Sequence, residues 1–306
     1  DSIAFYQEGL SLFRALGDPR GIAVALTGLG GVLFRVGRFR ESEDYMRETI
    51  EIFMELDDQA GVARSQYNLA RPFFIQGRYD EVIKLFKGCA PVLKELGLRY
   101  DYAHLLGVAV LALAHLGSYD EAKCQIPELL SLCQEIDYPR FLSGGYFSYG
   151  MIALAQGENK QASEYFQKSL AINKEVGNPD ELAAETGVLG GAYLKVGDLK
   201  RARHHLSEAL QLCIEIKGVW SASWITPWLA LLFEKRGEIE RAVEVYAMAS
   251  KLPIVANSRW VAEVVEAEIL VASEILTQEV ITESQERGLE ADLFVTMARL
   301  LEELKM

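Results

Sequence analysis

The motif Gly37-Arg-Phe39-Arg-Glu-Ser42 decides the fold, because it returns every forty residues without insertion or deletion. Most copies have a large apolar residue two positions after the glycine, and most have a small residue three positions after that. The other copies are Gly77-Arg-Tyr79-Asp-Glu-Val82, Gly117-Ser-Tyr119-Asp-Glu-Ala122, Gly157-Glu-Asn159-Lys-Gln-Ala162, Gly197-Asp-Leu199-Lys-Arg-Ala202 and Gly237-Glu-Ile239-Glu-Arg-Ala242. Self-similarity at a fixed period of this size is the signature of a repeat protein.

Each motif is predicted to be the turn of a helical hairpin. Glycine adopts the left-handed backbone conformation that ends a helix, and the small residue lets the second helix approach the first closely. A second break lies twenty residues from each hinge, as at Gly17-Asp18-Pro19 and Gly177-Asn178-Pro179. These breaks leave helices of about 17 residues, roughly 25 Å long.

Composition limits the class of protein. Half of the residues are hydrophobic and only 8 of 306 are proline, which is typical of folded chains. The net charge of −13 disfavours binding to nucleic acid or to an anionic membrane, because both attract clustered Lys and Arg. The longest apolar run, residues 105–114, is much shorter than the roughly 18 residues of a membrane-spanning helix. We therefore predict no membrane partner.

The four cysteines do not have the spacing of a metal site. They are Cys89, Cys124, Cys133 and Cys213, and we favour a role as small buried residues over metal binding. Unpaired cysteines indicate a reducing compartment, so the expected location is the cytoplasm. We predict neither a metal nor a cofactor.

The forty-residue period fails near residue 253, since Thr277 stands where the next hinge glycine would be. We predict a repeat array over residues 1–253, made of a half repeat and six hairpins, and a helical capping segment over 254–306. This segment has 11 acidic and 4 basic residues, which suits a polar cap. Thr277 is predicted to cap a helix that ends at Gly288, and an amphipathic final helix to follow. Residues 1–16 resemble a second helix without its partner, so we expect the chain to be part of a longer protein.

The hinge motif Gly-x-aromatic-x-x-Ala, with Leu29-Gly30 and Leu189-Gly190 ahead of it, resembles the tetratricopeptide repeat over residues 20–252. The period is forty residues instead of about 34, and the proline that normally closes the second helix is missing. The long helices resemble the variant in bacterial signal-transduction ATPases with numerous domains, called STAND proteins, and in related transcriptional activators. Three short sequence motifs also resemble motifs of those proteins: Leu16-Gly17-Asp18-Pro19-Arg20-Gly21, Asn257-Ser258-Arg259-Trp260 and Gln285-Glu286-Arg287-Gly288.

The resemblance implies an all-α, right-handed superhelical solenoid of antiparallel hairpins. In that family a nucleotide switch lies upstream, and the repeats act as a sensor that receives a protein or small inducer and releases autoinhibition. This chain has no Gly-x-x-x-x-Gly-Lys-Ser/Thr loop, so any ATPase activity would belong to an upstream domain. We hypothesise a sensor domain that binds a protein, a peptide or a small inducer.

Enzymatic motifs are missing from the sequence. The histidines lie on separate repeats or, as His204 and His205, side by side on one helix, where we expect solvent exposure. His-Glu-x-x-His, Cys-x-x-Cys and glycine-rich phosphate loops do not occur. We therefore predict no catalysis.

A binding surface follows from the analogy with the tetratricopeptide pattern. Residues 13, 10, 6 and 3 positions before each hinge glycine are expected to face the concave wall. The predicted ligand-binding residues are Arg64, Tyr67, Arg71, Phe74, His104, Leu111, Phe147, Met151 and Trp224. Two arginines beside aromatic rings suit a carboxylate or phosphate with an apolar neighbour. Alternatively, these arginines pair with acids of adjacent repeats and the aromatic residues are ordinary packing.

Two further features of this wall carry open alternatives. Gly107, Gly187 and Gly191 alternate with large side chains, which predicts a pocket. The stripe of Trp220, Trp224 and Trp228 is favoured as core packing, and Trp224 extends the concave surface only if it is exposed. The competing function for the whole chain is a passive scaffold that mediates self-association.

Overall fold

The computed structural model describes residues 2–305, except for the side chain of Val176, and within them it contains helices and no strand. The helices are α1 Ser2–Leu16, α2 Pro19–Arg35, α3 Phe39–Glu55, α4 Gln59–Asn68, α5 Ala70–Ile75, α6 Tyr79–Glu95, α7 Arg99–His115, α8 Tyr119–Glu135, α9 Pro139–Ala155, α10 Asn159–Val176, α11 Pro179–Val196, α12 Leu199–Ile216, α13 Val219–Lys235, α14 Ile239–Ala249, α15 Pro253–Ala256, α16 Arg259–Val261, the π-helix π1 Ala262–Glu266, α17 Ala267–Ser273, α18 Gln278–Glu290 and α19 Leu293–Lys305. We call α2, α4 with α5, α7, α9, α11 and α13 the first helices, and the helix after each hinge the second helix.

The contacts between residues divide the chain into two units. The first unit ends at Ala112 and the second begins at Leu113, so the boundary lies within α7. In the first unit α2 packs against α1 and α3, and α4 and α5 pack against α6. In the second unit α9, α11 and α13 pack against α10, α12 and α14. The predicted division at residue 253 stays a prediction.

The six predicted hinges have the backbone conformation that the sequence indicates. All six hinge glycines have positive φ, from 69° at Gly77 to 87° at Gly197. This is the left-handed region that closes a helix with a glycine. The helices on either side mostly have 17 or 18 residues, as predicted. The hairpin turns are therefore confirmed.

The residue five positions after each hinge, which is small in all copies but Val82, is buried as predicted. Ala122, Ala162 and Ala202 are 0% exposed, and Ser42 is 1% exposed. The Ser42 hydroxyl donates a hydrogen bond of 2.8 Å to the carbonyl oxygen of Gly30 on the facing helix. Two helices approach this closely only if the residue between them is small, so the position limits the distance within each hairpin.

One first helix is interrupted, which the forty-residue period did not predict. The helix of repeat two ends at Asn68 and resumes at Ala70, so that α4 and α5 replace a single helix. Pro72 has no N–H to donate to the carbonyl oxygen four residues earlier, and its ring crowds that carbonyl. The interruption lies between Tyr67 and Arg71, two of the predicted binding residues.

The residues after the last hairpin pack on two different sides of the second unit. Residues 253–273 contact the first helices α9 and α13 and, through α17, the second helix α14, whereas α18 and α19 contact the second helices α14 and α12. Thr277 caps α18, since its hydroxyl accepts a hydrogen bond from the N–H of Val280 at 3.4 Å. The prediction that Gly288 ends this helix is wrong, because α18 continues to Glu290. Gly288 is instead a contact point, where a Cβ atom would lie 2.1 Å from the carbonyl oxygen of Glu244.

Three of the four cysteines are buried as predicted, and Cys124 is exposed. Burial raises the pKa of Cys133 to about 12. His204 is exposed as expected, whereas His205 is half-buried and stacks on the ring of Tyr193 with 5.4 Å between centroids. No helix among residues 2–305 combines the length and the apolar character needed to cross a membrane. The same residues include no cluster of three or more His, Cys, Asp or Glu side chains placed to hold a metal ion.

Candidate binding faces of the first helices

The first unit brings several predicted binding residues together. The guanidinium Nε of Arg64 donates to a carboxylate oxygen of Asp101 at 2.9 Å. The ring of Tyr67 meets the imidazole of His104 edge to face, with 5.2 Å between centroids. The guanidinium carbon of Arg71 lies 5.2 Å from the centre of the Phe34 ring. We call the surface of Phe34, Arg64, Tyr67, Arg71 and His104 the arginine face.

Phe34 was not among the predicted residues, although the sequence contains the signal for it. It stands three positions before the hinge glycine Gly37, which is the spacing that selects Phe74 in the next repeat. A guanidinium over an aromatic ring gains about 0.5–1 kcal/mol at an exposed site. The contact therefore holds Arg71 near the surface without burying its charge.

The members of the predicted set differ in how accessible they are. Arg64 has 55% of its side chain exposed, and Tyr67, Arg71, His104 and Leu111 are half-buried. Phe74 is only 2% exposed, because its ring packs edge to face on Tyr79 at 5.2 Å. Phe74 is therefore part of the core and not of the accessible surface. Arg64 pairs with Asp101 of the next repeat. This is the result expected if the arginine joins adjacent repeats instead of binding a ligand.

The second unit buries the other three predicted residues. Phe147 is 6% exposed, Met151 0% and Trp224 3%. The ring of Trp224 meets Phe147 at 5.0 Å and Trp260 at 6.3 Å between centroids. The indole N–H of Trp260 donates a hydrogen bond of 2.8 Å to the carbonyl oxygen of Met151. In this structure, a segment of the same chain lies on the face predicted for a ligand.

We call residues 258–268 the covering segment. Its first anchor is Ser258, whose hydroxyl oxygen lies 2.7 Å from Nδ1 of His115 and accepts from the N–H of Val261 at 3.0 Å. Burial lowers the pKa of His115 to about 3, so this imidazole is neutral at physiological pH. The hydroxyl group of Tyr119 donates to the carboxylate of Glu263 at 2.5 Å.

The far end of the covering segment is held by ion pairs. Lys195 donates to the carbonyl oxygen of Val264 and to the carboxylate of Glu268, and Lys235 lies 2.6 Å from that carboxylate. Burial alone would raise the pKa of Glu268, but the hydrogen bonds from the two lysines outweigh it and lower the pKa. Glu268 therefore stays ionised and keeps both lysines in place.

The predicted pocket is filled at two of its three glycines. A Cβ atom at Gly191 would lie 2.1 Å from the ring of Trp228, and one at Gly187 would lie 2.6 Å from the side chain of Ile225. Both neighbours come from α13, so the next repeat fills the space left by the glycines. Trp228 is 1% exposed, which confirms core packing for the tryptophan stripe at this position.

A buried carboxyl group that the sequence did not reveal lies between repeats four and five. Glu185 is 6% exposed and accepts a hydrogen bond of 2.8 Å from the hydroxyl group of Ser169. Burial raises the pKa of Glu185 to about 8. A buried carboxyl without a cation nearby keeps its proton, and here the neighbouring charge of Glu181 favours the protonated form as well.

Comparison with known proteins agrees with the repeat pattern. A family model described as the tetratricopeptide repeat matches residues 21–95 and 144–215. No curated protein sequence matches the chain significantly. The chain is similar in fold to a Rap protein complexed with Competence and Sporulation Factor, at 13% identity and a TM-score of 0.59, with 99% of this chain and 85% of that chain covered.

Two further solved structures show the same fold. NprR in complex with its cognate peptide NprX has 15% identity and a TM-score of 0.59 over 99% of this chain and 82% of that chain. The STAND protein with a tetratricopeptide repeat sensor from Pyrococcus horikoshii has 15% identity and a TM-score of 0.50 over 99% of this chain and 49% of that chain. These likenesses confirm the all-α solenoid class. The chain therefore matches the tetratricopeptide repeat over residues 21–95 and 144–215, and it is similar in fold to a STAND protein that has such a repeat sensor.

Proposed function

We propose that this chain is the sensor region of a larger bacterial, cytoplasmic STAND-type regulator, and that it binds a protein, a peptide or a small inducer on its first helices. An upstream nucleotide-switch domain would then convert binding into a signal, and the repeats would have no catalytic role. The solved Rap and NprR structures support the binding role, because each is similar in fold and is complexed with a factor or peptide. The STAND protein supports the sensor role in the same way.

The observation that carries this proposal is the arginine face. Two guanidinium groups, a phenol ring and an imidazole lie on adjacent repeats, and Gly31, three residues before Phe34 on α2, has nothing within 4 Å of its missing Cβ. Arginine pairs well with carboxylates, and aromatic rings offer flat apolar contact. We therefore propose that the ligand presents a carboxylate next to an apolar group, as an acidic peptide or a free C-terminus does.

The test is Arg71→Glu, with Arg40→Glu on the exposed surface of α3 as the matched control. Peptides are first selected on the wild-type chain from a displayed library of random peptides with free C-termini. We expect Arg71→Glu to weaken binding of the selected peptides by more than about tenfold, and to lower the free energy of unfolding by no more than about 1 kcal/mol. Binding is measured by calorimetry and stability by urea unfolding.

The two variants separate binding from folding. Arg40→Glu makes the same charge change away from the first helices, so it controls for general electrostatic repulsion of an acidic peptide. Equal weakening by both variants, or a loss of stability in Arg71→Glu that accounts for the lost binding, would make Arg71 structural and contradict the proposal.

A passive scaffold is the second candidate, and one observation favours it. Phe5, Leu12 and Leu16 follow one stripe along α1, and they are 72%, 59% and 68% exposed. An apolar stripe of this kind is a place where copies of a chain can meet. Self-association through α1 would then replace ligand binding as the function.

A further inference from the structure

The covering segment lies on the second unit in the way that a bound helix lies in a groove. Most of its anchors come from four successive first helices: His115 at the end of α7, Met151 on α9, Lys195 on α11, and Trp224 with Lys235 on α13. Tyr119 on the second helix α8 adds one more hydrogen bond. A helix that places its apolar side on a groove and is held by a few side-chain anchors is a recurring mode of peptide recognition. Here the peptide is part of the same chain.

The covering segment is also an outer layer of the unit. Its inner side, with Trp260, Val264 and Val265, is buried, whereas Arg259 and Glu263 on the other side are exposed. The exposed stripe continues along α17 through Leu270 and Val271, at 55% and 67% exposure. Nothing in the described structure packs over this stripe, so release of the segment breaks its contacts with the groove and with α14, including that of Glu266 with Tyr246, but uncovers no further layer.

The helices that follow are attached independently of the covering segment. Gly288 on α18 packs against the backbone of Glu244, and Arg241 on α14 is paired with Glu303 on α19. Residues 274–277, which join the covering segment's helix to α18, are not helical, and Ile275 is 79% exposed. The chain can therefore release the covering segment at a non-helical connection while α18 and α19 stay in place.

The anchors define the chemistry that the groove recognises. The ring of Trp260 meets the rings of Trp224 and Trp228 at 6.3 and 5.9 Å, and its N–H finds a backbone carbonyl. Ser258 supplies a hydroxyl group two residues before the tryptophan, and Glu268 supplies a carboxylate eight residues after it. A buried aromatic anchor with polar contacts around it is the usual composition of a binding hot spot.

We propose that the first helices of the second unit form a peptide-binding groove and that the covering segment is its exchangeable built-in ligand. The partner protein that replaces this segment presents a short helix of the same chemistry. Such a helix has a capping serine, a tryptophan two residues later and a glutamate further along. The inference rests on the proposed function only in treating first helices as binding surfaces. Exchange exposes Phe147, Met151 and Trp224, the predicted binding residues that are buried in this structure.

The first experiment uses the full chain with Trp260→Ala and a fluorescent synthetic peptide with the wild-type sequence of residues 253–276. Removing the indole weakens the built-in ligand, so the peptide should bind the variant with a Kd on the order of micromolar and bind the wild-type chain roughly tenfold more weakly. Val271→Ala is the matched control, because it shortens an exposed side chain and leaves the groove occupied. A peptide that carries alanine in place of its tryptophan should not bind either chain.

Hydrogen exchange on the wild-type chain tests the same proposal without a variant. Backbone amides of residues 260–268 should exchange roughly tenfold or more faster than those of α11 and α13, because the covering segment opens while the array stays folded. If Trp260→Ala does not fold, as judged by circular dichroism, Glu268→Lys replaces it in the peptide experiment, since it breaks two ion pairs without leaving a cavity.

The outcomes separate the two proposals. Absence of saturable peptide binding to a folded variant, or exchange of the covering segment only at the rate of the array helices, would show that the segment is a permanent part of the core. That result would leave the arginine face and its Arg71→Glu test untouched. Conversely, Arg71→Glu should not change binding of the synthetic peptide, so failure at the arginine face would not affect the groove.

Discussion

Glu185 links the stability of the second unit to pH through a single proton. In an unfolded chain its carboxyl group loses that proton near pH 4.3, whereas the folded chain keeps it up to a pKa of about 8. Between these values the folded state binds more protons than the unfolded state, so the free energy of unfolding falls as the pH rises. The stabilising effect of the proton is complete below the unfolded pKa and is lost once the pH passes the folded pKa.

The prediction at this residue is that Glu185→Gln removes the pH dependence. The amide of glutamine has the same shape, can accept the hydrogen bond from Ser169, and does not ionise. Above pH 8 the variant should be more stable than the wild-type chain, by on the order of a few kcal/mol. Urea unfolding at pH 5, 7 and 9 measures this, with the exposed Glu175→Gln on α10 as the control. Parallel pH profiles for wild type and Glu185→Gln would show that Glu185 does not ionise on unfolding.

At the scale of helices, the hairpins depend on the small residue that follows each hinge. Ala162 is 0% exposed and lies where α10 approaches α9. Ala162→Leu should lower the free energy of unfolding by about 1–3 kcal/mol, because the added atoms have no space between the helices. Ala171→Leu, at an exposed position of the same helix, should change stability little, and urea unfolding of both variants measures the difference. If Ala162→Leu left the free energy of unfolding unchanged, this would contradict the close packing of α9 and α10 at Ala162.

The repeat period predicted most helix boundaries, because hinge glycines and small residues act locally. It did not predict the interruption near Pro72. Proline alone could not have predicted it either, because Pro91, Pro127 and Pro227 lie inside continuous helices. A proline removes one backbone hydrogen bond wherever it stands, and the surrounding packing decides whether the helix bends or stops. The prediction for Gly288 is wrong for a similar reason: a glycine can end a helix or admit a neighbouring backbone, and only the tertiary contact distinguishes the two.

At the scale of the molecule, the sequence predicted which residues share the first-helix side but not what lies over them. Spacing from the hinge selects Tyr67 and Trp224 by the same rule, yet one is half-buried and the other is 3% exposed. The difference arises from Trp260, which lies outside the repeat period and reaches α9 and α13 through contacts distant in sequence. Local periodicity carries no information about such contacts, so the burial of Phe147, Met151 and Trp224, three of the nine predicted binding residues, could be seen only in the structure.

The last prediction concerns the state of the whole chain in solution. The exposed parts of Phe5, Leu12 and Leu16 amount to on the order of 300 Å², well below the roughly 800 Å² that each partner buries in a stable interface. We therefore expect sedimentation velocity to give the mass of one chain at all concentrations, as a sensor domain requires. A sedimentation coefficient that rises with protein concentration would indicate self-association and favour the scaffold instead. In that case Leu12→Glu should restore the monomer, whereas Gln7→Glu, an acidic control on the same helix, should not.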